Sequence, residues 1–193
     1  MEPPPAHLGV GVSALSGRSG IVLAEVAVTV VILLVAMQAL SMTVVSITRQ
    51  KALAQESAVA AEAARSTLER MRGTELSQLV ALYDPDPSND PGGAGTAPGN
   101  RFEVRELSGP GGQPAGEVML PLVLSDGRYE LREDVDDPER GFAPHDLDGD
   151  GFVNANDHAR DYVVLPVRVS IRWESRSSVR SFDLYTVLVE VGG

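Results

Sequence analysis

The sequence predicts an α+β fold, in which a long N-terminal helix packs by its second half on a small antiparallel β-sheet. One observation is an almost uninterrupted apolar run in residues 21–48, near the start of the chain. The other is a series of strand-length segments with period-two alternation in the second half, bounded by turn residues. With 193 residues, the chain leaves room for one modest domain beside this helix.

The apolar run is long enough to cross a bilayer. It has 28 residues and one charge, Glu25. At about 1.5 Å per helical residue it exceeds the roughly 30 Å hydrocarbon core, so it can span a bilayer with some tilt. A secretory signal peptide has a shorter apolar core of about 7 to 15 residues. A plain membrane anchor explains the length but not Glu25, because an ionised side chain in a spanning helix costs at least about 2.5 to 3.5 kcal/mol.

The helix is predicted to continue through residues 49–83 as an amphipathic segment. Charged residues make this segment compatible with water, while apolar residues recur at steps of three and four and form one stripe for packing on the domain's own sheet. Gly73 indicates a bend or an end, because glycine costs about 1 kcal/mol relative to alanine inside a helix. The stripe consists of Leu53, Ala60, Ala64, Leu68, Met71, Leu76, Leu79 and Leu82.

Beyond the helix, residues 84–100 are predicted to be a mobile, Pro/Gly-rich linker, and residues 101–193 a C-terminal β domain. Alternation in residues 162–173 predicts a half-buried strand, in which Pro166 indicates an edge position or a bulge and Trp173 fills the core. A turn near residues 174–178 then makes a C-terminal hairpin. The strand candidates are residues 102–107, 117–124, 128–135, 162–173 and 179–191, with an Asp126-Gly127 turn between the second and the third.

The charge of the chain is acidic, with a net value of -11. From residue 84 onward there are 21 acidic and 10 basic residues, which disfavours nucleic acid as a partner of the soluble part and favours cations. The chain has no cysteine, so it has no disulfide framework. The sequence contains no Ser-His-Asp set, cysteine nucleophile or phosphate-binding loop, so an enzyme is not predicted.

A metal-binding motif occupies residues 146–157, between two strand candidates. It has the pattern of the 12-residue calcium loop, with oxygen side chains at positions 1, 3, 5, 9 and 12, a glycine at 6 and a backbone carbonyl at 7. Four aspartates this close together repel one another unless a cation lies among them, and Ca²⁺ takes the hard oxygen ligands that this spacing supplies. The predicted ligands are Asp146, Asp148, Asp150, the Phe152 carbonyl, Asn154 and Asp157.

This loop resembles the dockerin variant of the EF-hand, because its last position is Asp where sensor EF-hands have Glu. Pro138 and Pro144 break up the approach to it, so a calcium loop between strands is predicted rather than a complete EF-hand. An acidic, solvated turn without a metal is the alternative. His145 and His158 flank the loop and invite a zinc site, but zinc prefers three or four nitrogen or sulfur ligands, so both are predicted to be surface residues.

The residues around Glu25 suggest why a charge is kept in the apolar run. A leader of residues 1–20 ends at Gly20, Ile21 follows, and Glu25 is the fifth residue after Gly20. This arrangement resembles the prepilin-type cleavage and methylation signal of type IV pilins and of the pseudopilins of type II secretion systems. The resemblance implies cleavage between Gly20 and Ile21 by a prepilin peptidase, methylation of Ile21 at its new amine, and assembly through the helix.

These features together predict a minor pilin or pseudopilin, a structural subunit of a type IV pilus or type II secretion filament with a calcium-stabilised head. The resemblance implies one pass through the inner membrane, a periplasmic C-terminal domain, and other pilin or pseudopilin subunits as partners. The alternative is a bitopic, membrane-anchored module for calcium-dependent adhesion or docking.

Overall fold

The computed structural model describes residues 18–176 and 178–190, with side chains from Val22 onward. Residues 1–17 of the predicted leader lie outside the described residues. The chain divides into two compact units, Met1–Lys51 and Ala52–Gly193. The first contains the apolar part of the N-terminal helix, and the second contains the rest of that helix and all the strands. The predicted α+β arrangement is confirmed.

Helix α1 (Arg18–Arg72) has 55 residues. Its large apolar side chains between Val22 and Ile47 are all exposed, and from Val22 the helix is long and apolar enough to cross a membrane. It ends at Arg72, where Gly73 follows and donates its N–H to the Glu69 carbonyl (3.1 Å). The sequence-based expectation of a bend or an end at Gly73 is therefore confirmed as an end, and residues 49–83 are not one continuous helix as predicted.

In the second unit, α1 packs on the sheet through the predicted stripe. Ala60, Ala64, Leu68 and Met71 are each at most 4 % exposed and belong to the same core as the inward side chains of the strands. Trp173 is buried in this core, as predicted, and its indole N–H donates to Glu56 on α1 (3.1 Å). A short helix α2 (Leu79–Tyr83) adds Leu79, Val80 and Tyr83 to the core.

The strands form a four-stranded and a two-stranded antiparallel sheet. The larger sheet has the order β1-β2-β5-β6, and the smaller one pairs β3 with β4. The bounds are β1 Arg101–Phe102, β2 Gly116–Met119, β3 Leu122–Ser125, β4 Arg128–Leu131, β5 Val164–Ser175 and β6 Ser178–Val189.

Strands β5 and β6 make the predicted C-terminal hairpin. The odd-numbered residues of β5 from Leu165 to Trp173 are all buried, whereas Arg172 and Glu174 are exposed, as the alternation predicts. Pro166 lies beyond the end of β2, whose pairing stops at Arg168, so at Pro166 strand β5 is paired with β6 alone. This agrees with the edge position that a proline without an N–H requires.

The single strand predicted for residues 117–124 is wrong. The chain pairs with β5 only as far as Met119, and after Leu120 and Pro121 it pairs with β4 in the other sheet. Proline has no N–H for a strand ladder, so the chain changes sheets at this position. Two other candidates are shorter than predicted, because β1 ends at Phe102 and β4 ends at Leu131.

The turn predicted at Asp126-Gly127 connects β3 to β4. Ser125 pairs with Arg128, which leaves a two-residue loop, and both loop residues have positive φ, 49° for Asp126 and 81° for Gly127. Asp and Gly suit this mirror-image turn because they tolerate the left-handed region, and its twist matches that of the strands.

Residues 84–100 belong to the second unit and form a set of closed turns. Buried Asp84 accepts hydrogen bonds from the Asp86 N–H (2.9 Å) and from the Asn89 amide (2.6 Å). The Gly99 N–H donates to the Leu82 carbonyl (3.0 Å), which brings the end of the segment back to α2. These turns therefore return the chain to the domain rather than connecting two domains.

Tyr162 joins the segment after α1 to the start of β5. Its buried hydroxyl donates to the Leu76 carbonyl and accepts from the Val80 N–H (3.4 Å), a donor in the first turn of α2. Burial raises the pKa of Tyr162 above its ordinary value of 10.0, so the hydroxyl stays protonated and can donate.

We expect Tyr162→Phe to lower the free energy of unfolding by about 1–3 kcal/mol, because it leaves the buried Val80 N–H and the Leu76 carbonyl without this partner. Urea denaturation of the full-length protein in detergent measures this through Trp173, the only tryptophan of the chain. Tyr185→Phe is the matched control, since Tyr185 is 50 % exposed and its loss should change little. Equal effects of both substitutions would contradict this role of Tyr162.

Candidate metal centre

The loop at residues 146–151 is folded by its own aspartates. Asp146 accepts hydrogen bonds from the N–H groups of Gly149 (2.7 Å) and Gly151 (2.9 Å). Asp148 accepts from Asp150 N–H (3.0 Å), and Asp150 accepts from Phe152 N–H (2.7 Å). Gly149 and Gly151 have φ of 80° and 88°, a region that glycine adopts without strain. Alternating aspartates and glycines therefore produce a tight loop without strand pairing.

Three of the predicted ligands converge in this loop. Asp146, Asp148 and Asp150 each bring a carboxylate oxygen within 4.8 Å of the others, so the group could hold a metal ion. Desolvation tends to raise the pKa of Asp146, but hydrogen bonds from the N–H groups of Gly151 and Gly149, together with those of Asp148 and Asp150, lower that pKa overall from its ordinary value of 3.8. The Asp146 carboxylate is therefore ionised at neutral pH.

The other three predicted ligands are placed differently. Phe152 is 74 % exposed, and only its backbone carbonyl can be a ligand because its phenyl ring has no donor atom. Asn154 accepts the Asn156 N–H through its side-chain oxygen (2.8 Å). Asp157 accepts hydrogen bonds from the N–H groups of Leu131 (3.1 Å) and Ala159 (3.0 Å), so its carboxylate anchors the end of the loop to β4. Among the described residues, Asp157 does not belong to the group formed by the first three aspartates.

A second group was not predicted from the sequence. Glu133, Asp148 and His158 also bring ligand atoms within 4.8 Å of one another and could hold a metal ion. Glu133 is 1 % exposed, and it follows β4 at the position where alternation from buried Leu131 points a side chain inward. An acidic residue on the apolar side of a strand pattern is the signal that could have identified it.

The prediction that His158 is a surface residue is wrong. His158 is 3 % exposed, and both ring nitrogens face oxygen atoms. Its Nδ1 lies 3.2 Å from Asp161 and 3.5 Å from Asp148, and its Nε2 lies 3.2 Å from Asn154 and 3.5 Å from Glu133. Burial of this imidazole is tolerated because both of its ring nitrogens have oxygen atoms as hydrogen-bond partners. His145 is exposed, as predicted.

Buried Leu147 ties the loop to the start of β5. Its side chain is fully buried among core residues, and its carbonyl accepts the N–H groups of Val163 (2.8 Å) and Val164 (3.0 Å). The second position of the loop therefore fixes where β5 begins, so the loop geometry and the strand are coupled.

The residues of the predicted processing signal lie at the beginning of α1. Gly20 and Ile21 are helical, and Glu25 is exposed one turn later. Among the described side chains, from Val22 onward, none forms a hydrogen bond or an ion pair with the Glu25 carboxylate, whereas its backbone carbonyl accepts the Thr29 hydroxyl (2.8 Å).

The chain was compared with models of known protein families, with curated proteins and with solved structures. None of the three comparisons gives a match.

Proposed function

We propose that this chain is a minor pilin or pseudopilin, a structural subunit that enters or primes a helical filament of a type IV pilus or a type II secretion system. The observation that carries the proposal is Glu25. It is the only charge of an apolar segment that can span a membrane, and it is the fifth residue after Gly20. The layout of α1, with an apolar first part and a second part on an antiparallel sheet, supports the proposal.

Glu25 acts in assembly through charge pairing. After cleavage between Gly20 and Ile21, the methylated amine of Ile21 carries a positive charge into the same apolar environment. Placing an unpaired carboxylate or an unpaired ammonium group in that environment is costly in free energy. The two charges attract each other strongly there because the effective dielectric constant is low. Glu25 therefore pairs with the N-terminal amine of a neighbouring subunit and sets the axial position of that subunit.

Calcium binding stabilises the head of this subunit. Between residues 134 and 161 there are nine acidic and two basic residues, and no cysteine is available to constrain them. A Ca²⁺ ion held by Asp146, Asp148 and Asp150, with the Phe152 carbonyl, offsets the repulsion among the aspartates. Oxygen donors favour Ca²⁺ over zinc in this loop.

The proposed location follows from the same features. A prepilin peptidase removes residues 1–20, α1 anchors the subunit in the inner membrane, and the β domain lies in the periplasm until assembly. The partners are other pilin or pseudopilin subunits, which contact this chain through their own N-terminal helices.

We expect the protein isolated from membranes to begin at Ile21 with a methylated amine. Intact mass and N-terminal peptide analysis measure both features, and Gly20→Leu is the variant that should keep the leader. A wild-type chain in membranes that still begins at Met1 would contradict the pilin proposal and favour a bitopic, membrane-anchored adhesion or docking module.

We expect Glu25→Gln to be processed normally but to enter filaments poorly. Removing one partner of a buried charge pair costs about 3–5 kcal/mol, because the other charge is left without compensation. The measurement is the share of the subunit in sheared filaments relative to membranes. Thr43→Val is the control, since the Thr43 hydroxyl bonds the Ala39 carbonyl of its own helix (2.9 Å). Normal incorporation of Glu25→Gln would remove this role for the carboxylate.

We expect calcium at about 10 mM to raise the free energy of unfolding of the full-length protein by about 1.4–2.7 kcal/mol, for a dissociation constant of roughly 10⁻⁴ to 10⁻³ M. Asp148→Ala and Asp150→Ala should lose this gain, whereas Asp126→Asn, in the β3–β4 turn, should keep it. Urea denaturation followed by Trp173 fluorescence, with calcium and then with excess chelator, measures the difference. An unchanged wild-type curve would show that the loop is an acidic turn without a metal.

A further inference from the structure

Glu133 lies outside the loop in sequence, but in the structure its side chain is hydrogen-bonded to the loop backbone. It follows β4, 13 residues before Asp146, and its side chain is almost fully buried. Its backbone carbonyl accepts the His145 N–H (2.9 Å), immediately before the loop begins. The carboxylate thus approaches the loop from the side of the protein interior.

Both oxygens of Glu133 accept hydrogen bonds from the loop backbone. Oε1 accepts the N–H of Leu147 (2.7 Å) and that of Asp148 (3.4 Å). Oε2 accepts the N–H of Asn154 (2.9 Å). These donors lie at the second, third and ninth positions of the loop. The Glu133 side chain therefore connects the first part of the loop to its later part.

A buried carboxylate is costly unless charge-assisted hydrogen bonds compensate it, and here three N–H groups do so. The Nε2 atom of His158 lies 3.5 Å from Oε2 of Glu133. An apolar residue in place of Glu133 would leave the three loop N–H groups without these acceptors. The local fold therefore depends on a carboxylate at this position.

We infer that Glu133 is the positioning residue of the calcium loop, an inference that rests on the calcium binding proposed above. It sets the backbone so that Asp146, Asp148 and Asp150 converge, and Asp148 belongs to both groups. We assign Glu133 to positioning the loop rather than to ligating the ion, because its hydrogen bonds go to the loop backbone and it lies outside the Asp146, Asp148 and Asp150 group.

Asp157 is held by the same segment of the chain as Glu133. The last residue of the loop is bonded to the Leu131 N–H, two residues before Glu133, and the Leu131 carbonyl accepts the His158 N–H (2.8 Å). Residues 131–133 are thus hydrogen-bonded to the beginning of the loop, to its ninth position and to its end. A cation would meet a loop that is already closed, which favours binding because less ordering is needed.

The test uses the full-length protein in detergent, with Tb³⁺ as a luminescent substitute for Ca²⁺ and Ca²⁺ in competition. We expect Glu133→Gln to weaken binding by about 10- to 100-fold, the usual effect of losing a residue that orients metal ligands. At saturation, luminescence lifetimes in H₂O and D₂O should give the same number of Tb³⁺-coordinated waters for Glu133→Gln as for the wild type. Asp84→Asn is the matched control, because it removes another buried carboxylate with a backbone bond, far from the loop in sequence.

The outcomes separate the two proposals. If the wild type does not bind Tb³⁺ or Ca²⁺, the proposal that the loop binds calcium is contradicted. If the wild type binds and Glu133→Gln binds equally well, or loses affinity only as much as Asp84→Asn, the inference about Glu133 is overturned. A gain of one or more coordinated waters in Glu133→Gln would make Glu133 a ligand and would overturn its positioning role.

Trp173 fluorescence reports whether Glu133→Gln folds. If it does not fold, hydrogen exchange in the wild type tests the positioning role instead. With excess chelator, the amides of Leu147, Asp148 and Asn154 should exchange more slowly than free amides, because Glu133 holds them without a cation. Free exchange of all three amides in the folded, chelated protein would contradict a positioning role for Glu133.

Discussion

The loop at residues 146–157 satisfies its backbone N–H groups without strand pairing, largely through carboxylates. Asp146 closes the first turn, Glu133 holds Leu147 and Asn154, and Asp157 holds Leu131. A buried donor without a partner costs about 1–3 kcal/mol. Some of the carboxylates that fold the loop, those of Asp146, Asp148 and Asp150, also form a group that could hold a metal ion.

Helix α1 carries two different surfaces on one continuous backbone. Between Val22 and Ile47 it is apolar all round and its side chains are exposed, which suits a hydrocarbon environment. From Ala60 to Met71 only one stripe is apolar, and that stripe is buried on the sheet. Glu25 is the exception in the first part, and its isolation there is the reason why a partner from another chain is required by the proposed function.

Features that depend on neighbours in sequence could be predicted. The end of α1 at Gly73, the stripe of Leu68 and Met71, the Asp126-Gly127 turn and the burial of Trp173 all follow from local periodicity or from backbone preferences of single residues. The division of residues 117–124 between two sheets was missed, although Pro121 lies within them, because the loss of one N–H marks an interruption without saying which strand is paired next.

The sequence by itself determined the fold class, the apolar helix with its single charge, and the three aspartates at loop spacing, because periodicity and short-range spacing encode them. Only the tertiary structure decided which groups surround the loop. Glu133 meets Asn154 across 21 residues, and Asp157 meets Leu131 across 26. It also decided that His158 is buried. Such pairings depend on how β4, the loop and β5 pack, and burial of a polar side chain is tolerated only where that packing supplies its partners.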